Sequence, residues 1–182
     1  TWHGASGQED PLLALPQTTG NTGVAGLWVY STGATNLASG GAGNDVLTGT
    51  ASGDTLYGGA GDDSLRGGGG GDVLNGGAGF DWADYSLASA GVAASMTAGQ
   101  PNTGDAADDS YAGVEGVLGS AFADTLAGDA GDNILIGGAG NDVVLDGAGN
   151  DLVYGGDGDD LLVFGAGTGL LDGGAGRDTL SF

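Results

Sequence analysis

The sequence predicts an all-β fold in which short strands stack along one axis as a β-solenoid. A nine-residue unit recurs twelve times at constant phase, five times from Gly40 and seven times from Gly119. The chain has 182 residues, of which 44 are glycine, and every unit carries an apolar residue at its eighth place. A strict short period of this kind indicates a stack of repeats rather than one globular core.

The last three places of each unit predict a very short strand. Because side chains alternate across a strand, place eight faces inward while places seven and nine face outward. The place-eight residues therefore form the predicted core. They are Leu47, Leu56, Leu65, Leu74, Ala83, Leu126, Leu135, Val144, Val153, Leu162, Leu171 and Leu180.

The first six places predict a calcium-binding turn. Glycine dominates places one, two and four, where it permits positive φ and close approach of the backbone. Calcium takes six to eight oxygen ligands and mixes carboxylates with carbonyls, and place six supplies a carboxylate in most units. The place-six residues of the first block are Asp45, Asp54, Asp63, Asp72 and Asp81. Those of the second block are Asp124, Asn133, Asp142, Asp151, Asp160, Gly169 and Asp178.

The charge balance points to cations as partners. The chain has 24 acidic residues against two basic ones, for a net charge of -22, which excludes nucleic acid and anionic membranes. It has no cysteine, so neither a disulfide scaffold nor a thiolate metal site is expected. No apolar run approaches the roughly 18 residues that cross a bilayer, so we expect no membrane insertion. The chain begins at Thr1, which indicates a processed protein or a fragment.

The competing interpretation is a glycine-rich flexible linker or a disordered acidic tract. Linkers need neither an apolar residue at every ninth place nor an Asp two residues before it, and these units have both. Without calcium the balance changes, because few large side chains and strong self-repulsion offset little of the chain entropy. We therefore expect the calcium-free chain to be disordered.

The unit GGxGxDxUx, repeated over about 110 of the 182 residues, resembles the RTX (repeats-in-toxin) calcium-binding family. The resemblance implies a right-handed parallel β-roll in which two successive units make one 18-residue turn and calcium lies between turns at each edge. Pairing each unit with the next but one gives three pairs in the first block and five in the second, hence about eight Ca²⁺ ions. The implied ligands are the place-six acids with turn carbonyls from Gly40, Gly43, Gly58, Gly61, Gly137 and Gly140.

Several units depart from the family pattern, and we expect weaker or missing sites there. In one unit Gly169 replaces the carboxylate and Phe164 replaces the first glycine. Asn133 offers only a neutral oxygen, and Ser52 and Phe122 stand at place four. Further departures are Asp146 at place one, which puts that turn's backbone in doubt, and the place-five acids Asp62, Asp132 and Asp159, expected to be solvated.

The chain divides into four segments. Residues 1–39 lack the repeat and are expected to cap the roll or dock on a neighbour, because solenoid ends need cover. Residues 40–84 and 119–182 are the two repeat blocks. Residues 85–118 predict a strand around Val92 to Met96, a return strand around Val114 to Leu118, and a surface loop near Asp105 to Asp109. We expect this segment to pack on the roll.

The second block carries aliphatic residues at its outward places. Examples are Ile134 with Ile136 and Leu152 with Tyr154, whereas the first block has Ser64 with Arg66. Exposed aliphatic rows usually mark an interface, so we expect self-association through these faces and through the C-terminal end. The alternative is that residues 1–39 or 85–118 cover them.

The sequence predicts no enzyme. His3 is the only histidine, so neither a zinc-protease motif nor a serine triad can be assembled. The resemblance implies a bacterial protein exported by type I secretion that folds outside the cell. Three functions remain open: a structural protein of a fibre, surface layer or matrix, an accessory module of a larger secreted enzyme, and part of an adhesin.

Overall fold

A computed structural model of the chain describes residues 28–31 and 36–182. Within these residues the fold has seventeen strands, one 3-10 helix over Gly104–Ala106 and no α-helix. The strands are β1 (Trp28–Ser31), β2 (Asn36–Ala42), β3 (Val46–Thr48), β4 (Thr55–Ala60), β5 (Ser64–Arg66), β6 (Val73–Ala78), β7 (Trp82–Asp84), β8 (Ala93–Ser95), β9 (Ser110–Ala112), β10 (Gly116–Leu118), β11 (Thr125–Ala127), β12 (Ile134–Ala139), β13 (Val143–Leu145), β14 (Ala148–Asp157), β15 (Leu161–Val163), β16 (Ala166–Ala175) and β17 (Thr179–Ser181). In this part of the chain no helix is long and apolar enough to span a bilayer.

The strands coil into a parallel β-solenoid of about eight turns, as predicted. Within each repeat block successive strands alternate between two faces, so each strand pairs in parallel with the strand one turn away. Leu47 aligns with Leu65 across β3 and β5, and Val144 aligns with Leu162 across β13 and β15. Each of these pairs is 18 residues apart, so two nine-residue units make one turn of the solenoid.

The two faces are built differently. One face is a single seven-stranded sheet, the continuous sheet, in the order β16-β14-β12-β10-β7-β5-β3. The other face consists of a first-block sheet, β1-β2-β4-β6-β9, and a second-block sheet, β17-β15-β13-β11-β8. The continuous sheet therefore joins both repeat blocks in one stack.

The place-eight column forms the core, as predicted. Ten of its twelve members are buried, from Leu47 to Leu162, with exposures of at most 2%. Leu171 is partly buried against the core, and Leu180 in the last turn is 46% exposed. Most residues at places seven and nine face outward, so β3, β5, β11, β13 and β15 each bury one side chain, whereas β7 also buries Asp84. The core is consequently a single file of apolar residues between the two faces.

The stack begins earlier than the first predicted unit. β2 starts at Asn36, and Ala38 is buried in the core, in register with Leu56. β1 pairs with β2 in antiparallel fashion and forms the edge of the first-block sheet. Residues 1–39 were expected to cap the roll or dock on a neighbour. The rest of that segment, residues 1–27 and 32–35, lies outside the described residues.

The inter-block segment packs on the roll, as expected. β8 begins the second-block sheet, β9 ends the first-block sheet and β10 joins the continuous sheet. Val92, Ala94, Val114 and Val117 are all buried in the core.

The expectation of a surface loop near Asp105 to Asp109 is wrong for part of that stretch. Ala106 is fully buried, and Asp109 is only 8% exposed. The reason is the pairing of β9 with β6, which draws the residue before β9 into the turn and away from solvent. Asp108 remains exposed.

Candidate calcium-binding turns

Eight of the twelve repeat turns share a backbone conformation that requires glycine. In these turns the residues at places two and four both have positive φ. The pairs are Gly41 with Gly43, Gly59 with Gly61, Gly68 with Gly70, Gly77 with Gly79, Gly138 with Gly140, Gly147 with Gly149, Gly156 with Gly158, and Gly174 with Gly176. At Gly59 φ is +119°, and an added Cβ would collide with the carbonyl oxygen of Gly41 one turn away. Glycine is therefore needed both for the backbone angle and for the close stacking of turns.

The place-six side chains form a ladder along each edge of the roll. One carboxylate oxygen, Oδ1, accepts a hydrogen bond from the backbone N–H of the place-six residue one turn earlier. The distance is 2.8 Å from the Asp45 N–H to Asp63 and 2.7 Å from the Asp54 N–H to Asp72. The same bond joins Asp63 to Asp81, Asp124 to Asp142, Asn133 to Asp151, Asp142 to Asp160 and Asp160 to Asp178. Half of each of these carboxylates is thus committed to holding successive turns in register.

The other carboxylate oxygen is left without a protein partner in six turns. The Oδ2 atoms concerned are buried and make no hydrogen bond. They belong to Asp45, Asp63, Asp72, Asp81, Asp142 and Asp160. A buried charged oxygen without a partner is costly, which indicates a cation as the missing partner.

The surroundings of these oxygens fit a hard cation. Each Oδ2 lies beside the place-one glycine of its own turn. At Gly40, Gly58, Gly137 and Gly155 the place-one carbonyl of the next turn approaches the same glycine. At Gly40 an added Cβ would contact Asp45 Oδ2 and lie 2.7 Å from the Gly58 oxygen. At Gly137 it would contact Asp142 Oδ2 and lie 2.5 Å from the Gly155 oxygen. Carboxylate and carbonyl oxygens are the ligands that calcium prefers.

Carbonyl oxygens are needed to complete any such site. In residues 28–31 and 36–182 no three acidic, histidine or cysteine side chains converge as a ready-made metal cluster. Of the predicted carbonyl ligands, the place-one Gly58 oxygen lies close to the Gly40 turn, as described above. The place-four carbonyls of Gly43, Gly61 and Gly140 each lie against the place-four glycine one turn later, which is Gly61, Gly79 and Gly158 respectively. The ligand assignments themselves stay predictions.

Burial raises the pKa of five of the six unpartnered carboxylates and makes them reluctant to ionise. Burial raises the pKa of Asp72 to about 6 and that of Asp142 to about 6, and neighbouring carboxylates add to the rise. It also raises the pKa of Asp45, Asp81 and Asp160. Desolvation disfavours the charged form, and like charges nearby add to the penalty. A divalent cation in these turns would supply the opposite charge that the protein side chains lack.

The departures from the repeat pattern have distinct structural outcomes. The turn that begins at Asp146 keeps its positive-φ pair, Gly147 and Gly149, so its backbone is intact. Asp146 itself is buried, and its Oδ1 accepts the N–H of Gly165 at 2.5 Å. The place-five acids Asp62, Asp132 and Asp159 are exposed, as expected, and each accepts a backbone N–H from the next turn.

Two ladder residues in the inter-block segment were missed by the sequence analysis. The Asp72 N–H donates to Asp109 Oδ1 at 2.8 Å, and the Asp81 N–H donates to Glu115 Oε2 at 3.0 Å. Asp109 and Glu115 thus take the place-six role across the insertion. The usable signal was weak: each acid stands two residues before an inward-facing residue, Tyr111 or Val117, as in the repeat.

Asp109 differs from the repeat carboxylates because both of its oxygens are satisfied by the protein. Its Oδ2 accepts the Tyr85 hydroxyl at 2.7 Å, and the Tyr85 and Tyr111 hydroxyls lie 2.6 Å apart. Burial raises the pKa of Asp109 to about 7, although the hydrogen bond from Tyr85 opposes the rise. Asp109 therefore has no free carboxylate oxygen with which to bind an ion.

The fold and these turns together define a calcium-binding β-roll protein. The family model for the RTX calcium-binding nonapeptide repeat (4 copies) matches residues 30–65, 48–83, 118–145, 141–171 and 170–181. The chain therefore belongs to the RTX calcium-binding nonapeptide-repeat family. A comparison with curated proteins found no match.

Proposed function

We propose that this protein is a secreted structural roll that folds when it binds extracellular calcium. The observation that carries the proposal is the set of six buried Oδ2 atoms without a hydrogen-bond partner. The residues that would hold the ions are the place-six aspartates of the positive-φ turns, together with turn carbonyls. Calcium would neutralise these acids and bridge successive turns, which the thin apolar core alone holds weakly.

The dependence on calcium follows from linkage between binding and folding. An ion that binds only the folded state shifts the equilibrium towards that state by mass action. Extracellular calcium modules bind with dissociation constants of roughly 10⁻⁴ to 10⁻³ M. With a net charge of -22, the chain without calcium would repel itself and stay unfolded. Such an unfolded chain is suited to export before it folds. We propose no catalytic activity for it.

The structural role is supported by the distribution of charge and apolar surface. The acids lie in the turns at the edges, whereas the outer faces of the second block carry aliphatic rows. On the continuous sheet Ile134 aligns with Leu152 and Leu152 with Leu170. On the second-block sheet Val143 aligns with Leu161 and Leu145 with Val163. The partner that we propose for these faces is a second copy of the chain.

Removal of calcium tests the folding proposal. We expect the far-ultraviolet circular dichroism of the β-roll to disappear when calcium is chelated and to return when millimolar calcium is restored. Magnesium serves as the control, because it demands a tighter octahedral shell and should restore little structure. A chelated protein that kept its full β signal and its melting temperature would contradict the proposal.

A further inference from the structure

In three of the repeat turns the protein itself supplies a hydrogen-bond donor to the place-six oxygen that has no partner in other turns. In these turns the residue at place two is not glycine, and its backbone N–H donates to the place-six side chain. The bond is 2.5 Å from Thr50 to Asp54 Oδ2, 2.5 Å from Ser120 to Asp124 Oδ2 and 2.9 Å from Asp129 to Asn133 Oδ1. The oxygen that is free elsewhere in the roll is therefore occupied.

The place-two hydroxyls supply a further donor in two of these turns. The Thr50 hydroxyl lies 3.0 Å from Asp54 Oδ2, and the Ser120 hydroxyl lies 2.8 Å from Asp124 Oδ1. Both aspartates are as buried as those of the positive-φ turns, at 2% and 3% exposure. They differ from the other place-six aspartates in hydrogen bonding rather than in burial.

The backbone at place two explains the difference. In the positive-φ turns the place-two glycine has φ between 89° and 119°, a conformation that L side chains rarely adopt. Thr50, Ser120 and Asp129 do not have positive φ. In that conformation their N–H reaches the place-six side chain. In six of the eight positive-φ turns the place-six Oδ2 has no partner at all.

We propose that the residue at place two decides which turns of the roll take calcium. Turns with a positive-φ glycine take the ion, whereas the turns of Thr50, Ser120 and Asp129 replace it with their own N–H. This inference rests on the proposed calcium-dependent function and specifies its sites. Three of the eight pairs of units include one of these three turns, so the rule lowers the ion count below the eight that simple pairing of units gives.

The rule places calcium on opposite edges of the two blocks. Along one edge of the first block, three positive-φ turns precede strands of the continuous sheet, at Asp45, Asp63 and Asp81. Three others precede strands of the second-block sheet, at Asp142, Asp160 and Asp178. On the opposite edge of each block the ladder includes a self-satisfied turn, at Asp54 or at Asn133. In the second block, the self-satisfied turn of Asp124 precedes Asp142 on the same edge. Calcium would thus brace one edge of each block most strongly.

Paired substitutions of place-six aspartates test the rule. Bound calcium per chain is measured by equilibrium dialysis and elemental analysis for the wild type and for Asp54→Asn, Asp63→Asn, Asp124→Asn and Asp160→Asn. We expect Asp63→Asn and Asp160→Asn to lose about one ion or more each, because each removes a free Oδ2. We expect Asp54→Asn and Asp124→Asn to keep the wild-type count. Asn133 already shows that an amide fits such a turn.

A gain of binding gives a second test that does not rely on damaging the fold. The double variant Thr50→Gly with Ser52→Gly restores glycine at places two and four, and we expect it to bind more calcium than the wild type. Ala51→Gly is the matched control, because it adds a glycine at place three and leaves the Thr50 N–H in position. We expect its count to equal that of the wild type.

The outcomes separate this inference from the proposed function. If the wild type binds calcium and Asp54→Asn loses as much as Asp63→Asn, the place-two rule is wrong while calcium-dependent folding stands. An unchanged count in the Thr50→Gly, Ser52→Gly variant also overturns the rule. A wild type that binds no calcium removes the proposed function, and this inference with it.

Discussion

At the scale of single residues, the turns of the roll depend on the missing Cβ of glycine and on the second carboxylate oxygen of aspartate. A Cβ at place one would enter the space beside the free Oδ2, and a Cβ at place two would strike the turn below, as at Gly59. The place-six aspartate, such as Asp81, uses one oxygen to hold the turns in register and leaves the other without a protein partner. The repeat therefore requires glycine and aspartate together, since neither provides the site alone.

Substitution of one glycine tests this dependence. We expect Gly59→Ala to destabilise the calcium-loaded roll by at least about 2 kcal/mol, from the positive-φ cost together with overpacking. The measurement is the calcium concentration at half-folding, which should rise.

Gly69→Ala is the control for that substitution. Gly69 stands at place three, has no positive φ and meets only the Ala51 Cα at 3.8 Å. Other units already carry Ala at place three, as in Ala42 and Ala60. A Gly59→Ala protein with the same midpoint as Gly69→Ala would show that stacking of the turns does not need glycine there.

At the scale of elements, the inter-block segment keeps the stack continuous without a repeat motif. It supplies Asp109 and Glu115 to the ladder and several residues to the core. Its buried carboxylate is satisfied by protein donors: Asp109 accepts the Asp72 N–H and the Tyr85 hydroxyl. The segment therefore joins the two repeat blocks through contacts within the protein.

Removal of the Tyr85 hydroxyl tests the contact that Asp109 of the inter-block segment makes with the first block. We expect Tyr85→Phe to lower the free energy of unfolding by about 1–3 kcal/mol, because Asp109 loses a buried hydrogen-bond donor. The measurement is urea unfolding at saturating calcium. Tyr57→Phe is the control, because Tyr57 is 42% exposed on the outer face. Equal urea midpoints for the two variants would mean that the Tyr85 hydroxyl does not stabilise the contact between the inter-block segment and the first block.

At the scale of the whole molecule, acidic edges and apolar faces are separated. The edges carry the carboxylates, so without bound cations they would repel another copy of the chain. The outer faces of the second block carry Leu145 and Leu152, which are 39% and 37% exposed. Association between faces would bury these rows and leave the edges in contact with solvent and calcium.

Polar substitution of one residue on each outer face tests association. We expect the double variant Leu145→Thr with Leu152→Thr to sediment as a smaller species than the wild type at saturating calcium, with bound calcium unchanged. Val46→Thr is the control, because Val46 is 69% exposed on the first block. Threonine keeps a preference for strands, so the fold should persist. A wild type that sediments as a monomer would contradict self-association.

The sequence by itself determined the features that repeat. A period of nine with alternation inside each unit was enough to predict the core column from Leu47 to Leu162. The parallel stack with contacts 18 residues apart came from the resemblance of the unit GGxGxDxUx to the RTX family, because a period of nine alone does not say how many units make one turn. The departures at Ser52 and Phe122 lie in two of the units in which the place-two N–H donates to the place-six carboxylate.

Only the tertiary structure decided what happens where the period breaks or a turn changes its conformation. Asp109 reaches Asp72 across 37 residues, and no local pattern announces that separation. The capture of Asp54 by the Thr50 N–H depends on a backbone angle and on the direction of one N–H. Periodicity determines which residues stack, whereas hydrogen-bond direction and the path of an insertion depend on three-dimensional contacts that composition and spacing do not encode.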